Sequence, residues 1–331
     1  MTYQIGRRIN VGISRETVRG VSNIAPQFWL PKMDLSIDDK VNFVVNDQSY
    51  AVIEDAIGQD LATTYSEGSV TGRIDYSSFG LLMLATFGNE VSQAAHAGET
   101  VVYDHIFSVS ESAQHPSLSI SAVGDNEGTG VRYKLGMINQ LDIMFEINKY
   151  CTYKAAFRAN TSVAVASTAA FSTVEVPFLP QQGSVKFATN LAGLAAASAI
   201  NLRKLNLTVK KNIEEDWTIG STSAADRVNK EFSIEGTLEI VYDSRTYIDT
   251  NLAGNVSKAM RIQAVNTATT IGVAANPSLT IDLPLVKIQE VARKITNKDL
   301  VMQTLKFKAF YSQPDAEMMT TTLVNKQSAA Y

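Results

Sequence analysis

The chain is poor in the residues that perform chemistry. It has one cysteine in 331 residues, Cys151, which excludes an internal disulfide framework and Cys-rich zinc sites. Alternating Tyr153 and Phe157 follow it, so it reads as a buried thiol rather than a reactive one. Only His96, His105 and His115 are available for imidazole chemistry. No two of them are spaced four apart around a glutamate, so zincin chemistry is excluded. His105 lies in the strand-like run Tyr103-Asp104-His105-Ile106-Phe107, where a structural role is expected. There is no phosphate loop and no dinucleotide fingerprint. Gly124–Gly130 lacks the alternating oxygen ligands and terminal Glu of a Ca²⁺ loop and reads as a hairpin loop. No convergent set of tuned groups is present, so neither an enzyme nor a cofactor is expected.

Charge is scarce as well. Charged residues make up 19% of the chain, against about 25% in an average domain, as if part of the surface were covered by a partner. The net charge of −4 gives no general electrostatic case for nucleic-acid binding. The longest apolar run, Phe79–Phe87, is too short to span a membrane. Arg7 and Arg8 are not followed by an apolar run, so no secretory signal is expected.

What the chain does have is alternation and repetition. Ala113–Ser121 (AQHPSLSIS) and Ala274–Asp282 (AANPSLTID) share five of nine residues. Each reads as a proline turn entering a strand with every second residue apolar. Further blocks recur in the same order. Leu30–Ile37 resembles Leu202–Val209, and Ser69–Asp75 resembles Ser233–Glu239. Phe87-Gly88-Asn89 falls opposite Ala253-Gly254-Asn255, and Thr152-Tyr153-Lys154 opposite Thr304-Leu305-Lys306. The order implies two copies of one module.

The expected organisation is an arm (1–28), a first module (29–160), a packed connector (161–200), a second module (201–312) and a tail (313–331). The fold class is mainly β, with each module flanked by a short helix. The first helix is expected over Ser77–Gly88, capped by Ser77 or Ser78 and ended by Gly88; the second over Arg245–Ala253. Long loops are expected at Asn46–Ala62 and Lys211–Asn229, and a small-residue loop at Asn89–Thr100. Outward positions carry both charge signs: Arg73, Lys154, Arg158, Lys306 and Lys308 against Asp75, Asp142, Glu146, Glu235 and Glu239.

Several motifs occur in a characteristic order: Gly12-Ile13-Ser14-x-Glu16-x-x-x-Gly20, then Phe28-Trp29-Leu30-Pro31, then Glu67-Gly68-Ser69-Val70-Thr71-Gly72. Ser78-Phe79-Gly80-Leu81-Leu82 and Gln114-His115-Pro116-Ser117-Leu118 complete the set. In this order the chain resembles the major tail tube proteins of long-tailed, non-contractile bacteriophages. Arg245–Ala253 departs from the pattern, lacking the Phe-Gly-Leu-Leu run. The resemblance implies tandem tail-tube β-sandwich or half-barrel modules and a virion location after assembly in the bacterial host cytoplasm. Inner sheets of neighbouring subunits would join around a channel for DNA. The implied partners are other copies of the chain in trimeric rings, tail completion or tip proteins, a tape-measure protein, and DNA in transit; no membrane is implied. Inter-subunit contacts would fall on Gly12, Glu16, Gly20, Asn46, Tyr50, Glu54, Gly58 and Trp217. Channel-facing candidates are Thr71, Arg73, Asp75, Asp142, Glu146, Glu235, Thr237 and Glu239. The competing reading is a duplicated β-sandwich acting as a surface-binding or adhesin module.

Overall fold

A computed structural model describes residues 5–21, 25–124, 130–172, 175–297 and 299–331. The first half of the chain contains β1 Asn10–Arg15, β2 Phe28–Leu30, β3 Lys32–Asn46, β4 Gly58–Arg73, helix α1 Phe79–Phe87, β5 Gly88–Ala95, β6 Tyr103–Val109, β7 Leu118–Val123, β8 Gly130–Glu146, β9 Thr152–Ala159 and β10 Val163–Val165. The second half contains β11 Gly183–Ala188, β12 Leu202–Asp216, β13 Asp226–Val241, a π-helical segment Tyr247–Ala253, β14 Lys258–Val265, β15 Ser278–Lys294, β16 Met302–Phe310 and β17 Thr320–Asn325. The fold is mainly β, and the ladders between these strands are antiparallel.

One sheet runs unbroken through both halves, in the order β3–β4–β9–β8–β12–β13–β16–β15. Alternation gives it two unlike faces. Leu141, Ile143 and Phe145 on β8 are buried, as are Leu205, Leu207 and Val209 on β12. Of the residues between them, Asp142, Asn206 and Thr208 are polar and Met144 is not; all face away from the core. The long strands β8 and β15 each serve two layers. The C-terminal part of each lies in the eight-stranded sheet, while the N-terminal part pairs in a second layer. There β8 lies between β7 and β10, and β15 between β14 and β17. The core fills the space between the layers, and every residue of α1 is buried.

The pairing registers of the two halves match, irregularities included. Met33 is skipped between Lys32 and Asp34 on β3, as Arg203 is between Leu202 and Lys204 on β12. Ala62 is skipped on β4 opposite Asn42/Phe43, as Lys230 is on β13 opposite Asn212/Ile213. Asn139 bulges opposite Phe157/Ala156, and Gln289 opposite Phe307/Lys306. The step from Leu118 to Ile120 spans Gly136 to Tyr133, and that from Lys258 to Met260 spans Val286 to Leu283. A bulge re-aims a strand and fixes its register, so its position is a specific structural feature. Gly68 and Gly236 occupy matching places. A Cβ on Gly68 would lie 2.3 Å from the Ser36 carbonyl oxygen, and one on Gly236 2.5 Å from that of Asn206.

Several sequence expectations change. The nine-residue pair does not take matching places: Leu118 pairs with Gly136 and Arg15, whereas Leu279 pairs with Ala264 and Leu323. The Leu30–Ile37 and Thr152–Lys154 blocks are offset by two residues and the Ser69–Asp75 block by four, since the structure sets Gly236 opposite Leu207 where Gly68 stands opposite Ile37. An even shift preserves face alternation, which is why hydropathy alone does not detect it. The long loops are shorter than expected, with strand at 46 and 58–62 of the first and at 211–216 and 226–229 of the second, leaving tips at 47–57 and 217–225. Asn89–Thr100 begins with β5, whose small residues pair with β6. The arm contributes β1 and the first residue of β2, the connector β10 and β11, and the tail β17. The expected hairpin loop at Gly124–Gly130 falls largely outside the described residues.

Helix α1 ends at Gly88 as expected, with φ 89°. Its start is not capped by Ser77 or Ser78 side chains. Instead the Glu175 carboxylate accepts from their backbone N–H groups at 3.3 and 3.1 Å. At the other end, the buried Lys211 ammonium donates to the Ala85 carbonyl at 2.8 Å. Anion at the N-terminus and cation at the C-terminus both complement the helix dipole. Burial pushes the Glu175 carboxyl above its ordinary pKa and pulls Lys211 down to about 7.

Candidate assembly surfaces

Three surfaces are candidates for function: the polar face of the eight-stranded sheet, its two open edges, and the tip of the β3–β4 hairpin.

The polar face is a lattice of opposite charges set across neighbouring strands. Lys204 approaches Glu146 at 3.1 Å, Lys308 approaches Glu235 at 3.4 Å, and Lys306 approaches Glu290 at 2.6 Å. The Thr208 hydroxyl donates to Asp142 at 2.7 Å. Exposed pairs of this kind contribute little stability, roughly 0–1 kcal/mol each. Their effect is to leave no continuous run of one sign. The alternation puts Thr71, Arg73, Asp142, Glu146, Glu235, Thr237 and Glu239 on this face. Asp75 is not among them. It lies beyond the end of β4, 4% exposed, bridged to Pro177. Burial, reinforced by Glu175, pushes its carboxyl up to about 7.

The open edges lie at opposite ends of the sheet. Among the described residues β3 pairs only with β4, and β15 beyond Leu283 has no partner strand on the side away from β16 except a single pair, Val286 with Lys258. Unpaired N–H and C=O groups along such edges invite another chain.

The β3–β4 hairpin extends past the end of β9 as a two-stranded ribbon, since β9 reaches only Ser66 of β4. Asn46 and Gly58 close it. Its apolar residues are uncovered: Phe43 is 51% exposed, Val52 56% and Ile53 fully so. Tyr50 and Glu54 are also exposed. The matching hairpin β12–β13 is held down. Thr64 N–H donates to the Thr222 carbonyl at 2.7 Å, and the Asn160 side chain donates to the Ala224 carbonyl at 3.3 Å. Trp217, in its tip, is half-buried.

Beneath that second hairpin lies a buried polar network that sequence reasoning did not anticipate. The Arg227 guanidinium, fully buried, donates to Glu215 at 3.0 Å, to the Leu135 and Ala159 carbonyls at 3.2 and 2.9 Å, and to Asn160 at 2.8 Å. Arg19, from the arm, bonds Asp226 at 2.5 Å and the Arg227 carbonyl at 2.6 Å. The arm residues expected at a subunit contact are engaged here, inside the chain. Glu16 accepts from the N–H groups of Gly20 and Leu135, both at 2.8 Å, and from the hydroxyls of Ser117 and Ser119 at 2.6 and 3.1 Å. Gly12 sits in β1 against Pro26 and Trp29, and a Cβ there would meet the Pro26 ring at 2.5 Å. The motif Gly12…Glu16…Gly20 therefore fixes the arm to β7 and β8. An acidic residue amid small polar ones was the available signal, and it fitted an internal acceptor equally well.

Cys151 is buried, and burial pushes its thiol up to about 12. The buried His105 ring lies between Glu90 at 2.6 Å and the Gln327 carbonyl at 2.9 Å, bracing the C-terminal segment. Among the described residues, no group of His, Cys, Asp and Glu has the arrangement to hold a metal ion. No helix among them is long and apolar enough to cross a membrane.

A search of curated proteins found no match. The family model for the phage tail tube protein matches residues 6–309, nearly the whole chain, so the protein belongs to the phage tail tube family and is a structural component of the tail in the virion.

Proposed function

We propose that the chain is two fused copies of one tube module, and that three chains close into a ring around a channel through which DNA passes. The rings stack to form a non-contractile tail tube. One observation carries this reading: the four strands that each half gives to the eight-stranded sheet share their order, and the halves share four bulges at matching registers. On this basis the copies run from β1 to β10 and from β11 to β17. These bounds reassign part of the connector and the tail to the modules.

The dimensions support three chains. With strands ~4.8 Å apart and tilted by ~40°, a closed sheet of three times eight strands has a radius of about 24 Å. Side chains take up roughly 5 Å of that, half the spacing of packed sheets, leaving a lumen about 38 Å wide. A DNA duplex passes such an opening, and six chains would double the radius. The polar face lines the lumen in this arrangement. Its paired charges offer phosphates no continuous basic track, which suits a conduit that must release DNA rather than hold it. The β3–β4 tip and the rest of the uncovered hairpin supply contacts between neighbouring subunits or rings.

Negative-stain microscopy of the purified protein tests the proposal. End views with three-fold symmetry and six similar lobes are expected. Compact monomers under every condition tried, with no tubes in the parent particle, would overturn it.

A further inference from the structure

The chain contains a junction between its halves, and the open edges are the two sides of another junction of the same kind. Within the chain, β8 pairs with β12 antiparallel, from Glu146 opposite Lys204 to Gln140 opposite Lys210. The matched bulges make Glu290–Thr296 the counterpart of Gln140–Glu146, and Asp34–Lys40 the counterpart of Lys204–Lys210. We infer that β15, continued to Thr296, pairs with β3 of a second copy of this chain in that same register. Thr296 then stands opposite Asp34, Lys294 opposite Ser36, Ala292 opposite Asp38 and Glu290 opposite Lys40. The inference rests on the ring reading above and specifies its seam.

The chemistry of the edges fits this register. On the polar face, Lys294 enters between Asp34 and Asp38, its diagonal neighbours, and Glu290 meets Lys40. Opposite charges on facing strands stabilise a pairing and like charges oppose it. Asp34, Asp38 and Lys294 are all exposed in the single chain. On the other face, Leu35 meets Ile295, which is 69% exposed alone and is covered by the pairing. A shift by one residue would set Lys294 opposite Ile37 and turn its charge toward the core side of the partner. A shift by two, placing Ala292 opposite Ser36 or Lys40, breaks the Glu290–Lys40 match.

The second hairpin extends the same logic. Its tip bonds β4 and the end of β9 within the chain, as described for Thr222 and Ala224. The matching seat for the free β3–β4 tip is beside Phe232 and Tyr311 of the next copy, at the mouth of a groove also lined by Val109 and Met318. In that seat Gln59, the counterpart of Arg227, reaches the backbone near Leu285 and Ala309.

Paired cysteines test the seam in assembled tubes. Residues directly opposite have Cβ atoms about 4.5–5.5 Å apart, close enough for a disulfide after slight adjustment. Cys151 is buried and does not compete. The full-length double variant D38C/A292C is expected to give disulfide-linked dimers and trimers on non-reducing gels. Its yield should exceed that of I37C/A292C, whose side chains point to opposite faces, by about tenfold. Dominant linkage in S36C/A292C instead would overturn the register. Tubes that form with no linkage in any pair would overturn the seam and leave the ring reading standing. Should the cysteine variants fail to assemble, charge reversal decides. Lys294→Glu is expected to abolish assembly while the chain stays folded by circular dichroism, and adding Asp38→Lys is expected to restore it. Normal tubes from Lys294→Glu alone, or no recovery in the double variant, would refute the pairing. If wild-type chains stay monomeric, the ring reading falls and the seam with it.

Discussion

Replacing Arg227 with Met is the most informative single perturbation of the subunit. The side chains are similar in length, so the change removes charge and donors with little loss of volume. The guanidinium is fully buried and gives four bonds, three of them to β8, β9 and Asn160 in the other half of the chain. Burial pulls its pKa below the ordinary arginine value, and the adjacent Glu215 pushes back, so the pair is held by mutual compensation. Removing one partner of a buried pair costs about 3–5 kcal/mol, because the other charge and the orphaned acceptors stay desolvated. Glu215 keeps a second cation, Arg158 at 3.6 Å, which argues for the middle of that range, about 4 kcal/mol. Urea titration followed by tryptophan fluorescence, from Trp29 and Trp217, gives the number. The double variant R227M/E215L removes the stranded carboxylate and should recover about 2 kcal/mol of the loss, leaving the unpaired Leu135 and Ala159 carbonyls to account for the remainder. A single variant within about 0.5 kcal/mol of wild type, or a double variant as damaged as the single, would refute the argument.

Four further outcomes are expected. Glu16→Ala strands the Gly20 and Leu135 N–H groups and two hydroxyls and should lower stability by about 3 kcal/mol, read as a fall of several degrees in Tm. Leu118→Asp puts an unpaired charge at a fully buried site and should unfold the first half; an unchanged Tm would show the strand face to be misassigned. Lys211 has its pKa depressed from 10.5 to about 7, so its contribution is present above 10.5 and is lost as pH falls through about 7. Stability measured from pH 10 to 7 should decline in wild type, and Lys211→Met should remove that part of the slope. Replacing 47–57 with Asn-Gly should leave folded subunits that fail to form tubes by microscopy, whereas normal tubes would remove the tip from assembly.

The strands were legible because alternation is a local property. Leu141, Ile143 and Phe145 announce their face without reference to anything distant, and so do Leu205 and Leu207. Helix α1 was legible from an apolar run broken only by Thr86 and ending at Gly88. Matching the two halves was harder. The nine-residue identity paired segments that occupy different strands, while the structural correspondence rests on Glu67-Gly68 against Glu235-Gly236. Only the atoms packed where a Cβ would stand, the Ser36 carbonyl and Ile37 at Gly68 and the Asn206 carbonyl and the Phe307 ring at Gly236, explain why glycine is needed there. Capping of α1 by Glu175 and Lys211 was not legible, because the caps come from 97 residues away in one case and 126 in the other. The internal bonds of Glu16 were not legible for a related reason: an acidic side chain in a glycine-rich segment fits an external contact as well as an internal one. Asp75 was assigned to the polar face by parity, yet β4 ends at Arg73 and parity ends with it.

The ladder between β8 and β12 has a mechanical consequence. Seven consecutive residue pairs cross the midpoint of the chain, so the halves are not hinged on a tether. A force drawing them apart must shear all seven together, and a force bending the sheet is shared among its eight strands. The polypeptide behaves as one stiff plate, and deformation under load gathers at its margins, where one molecule ends and the next begins.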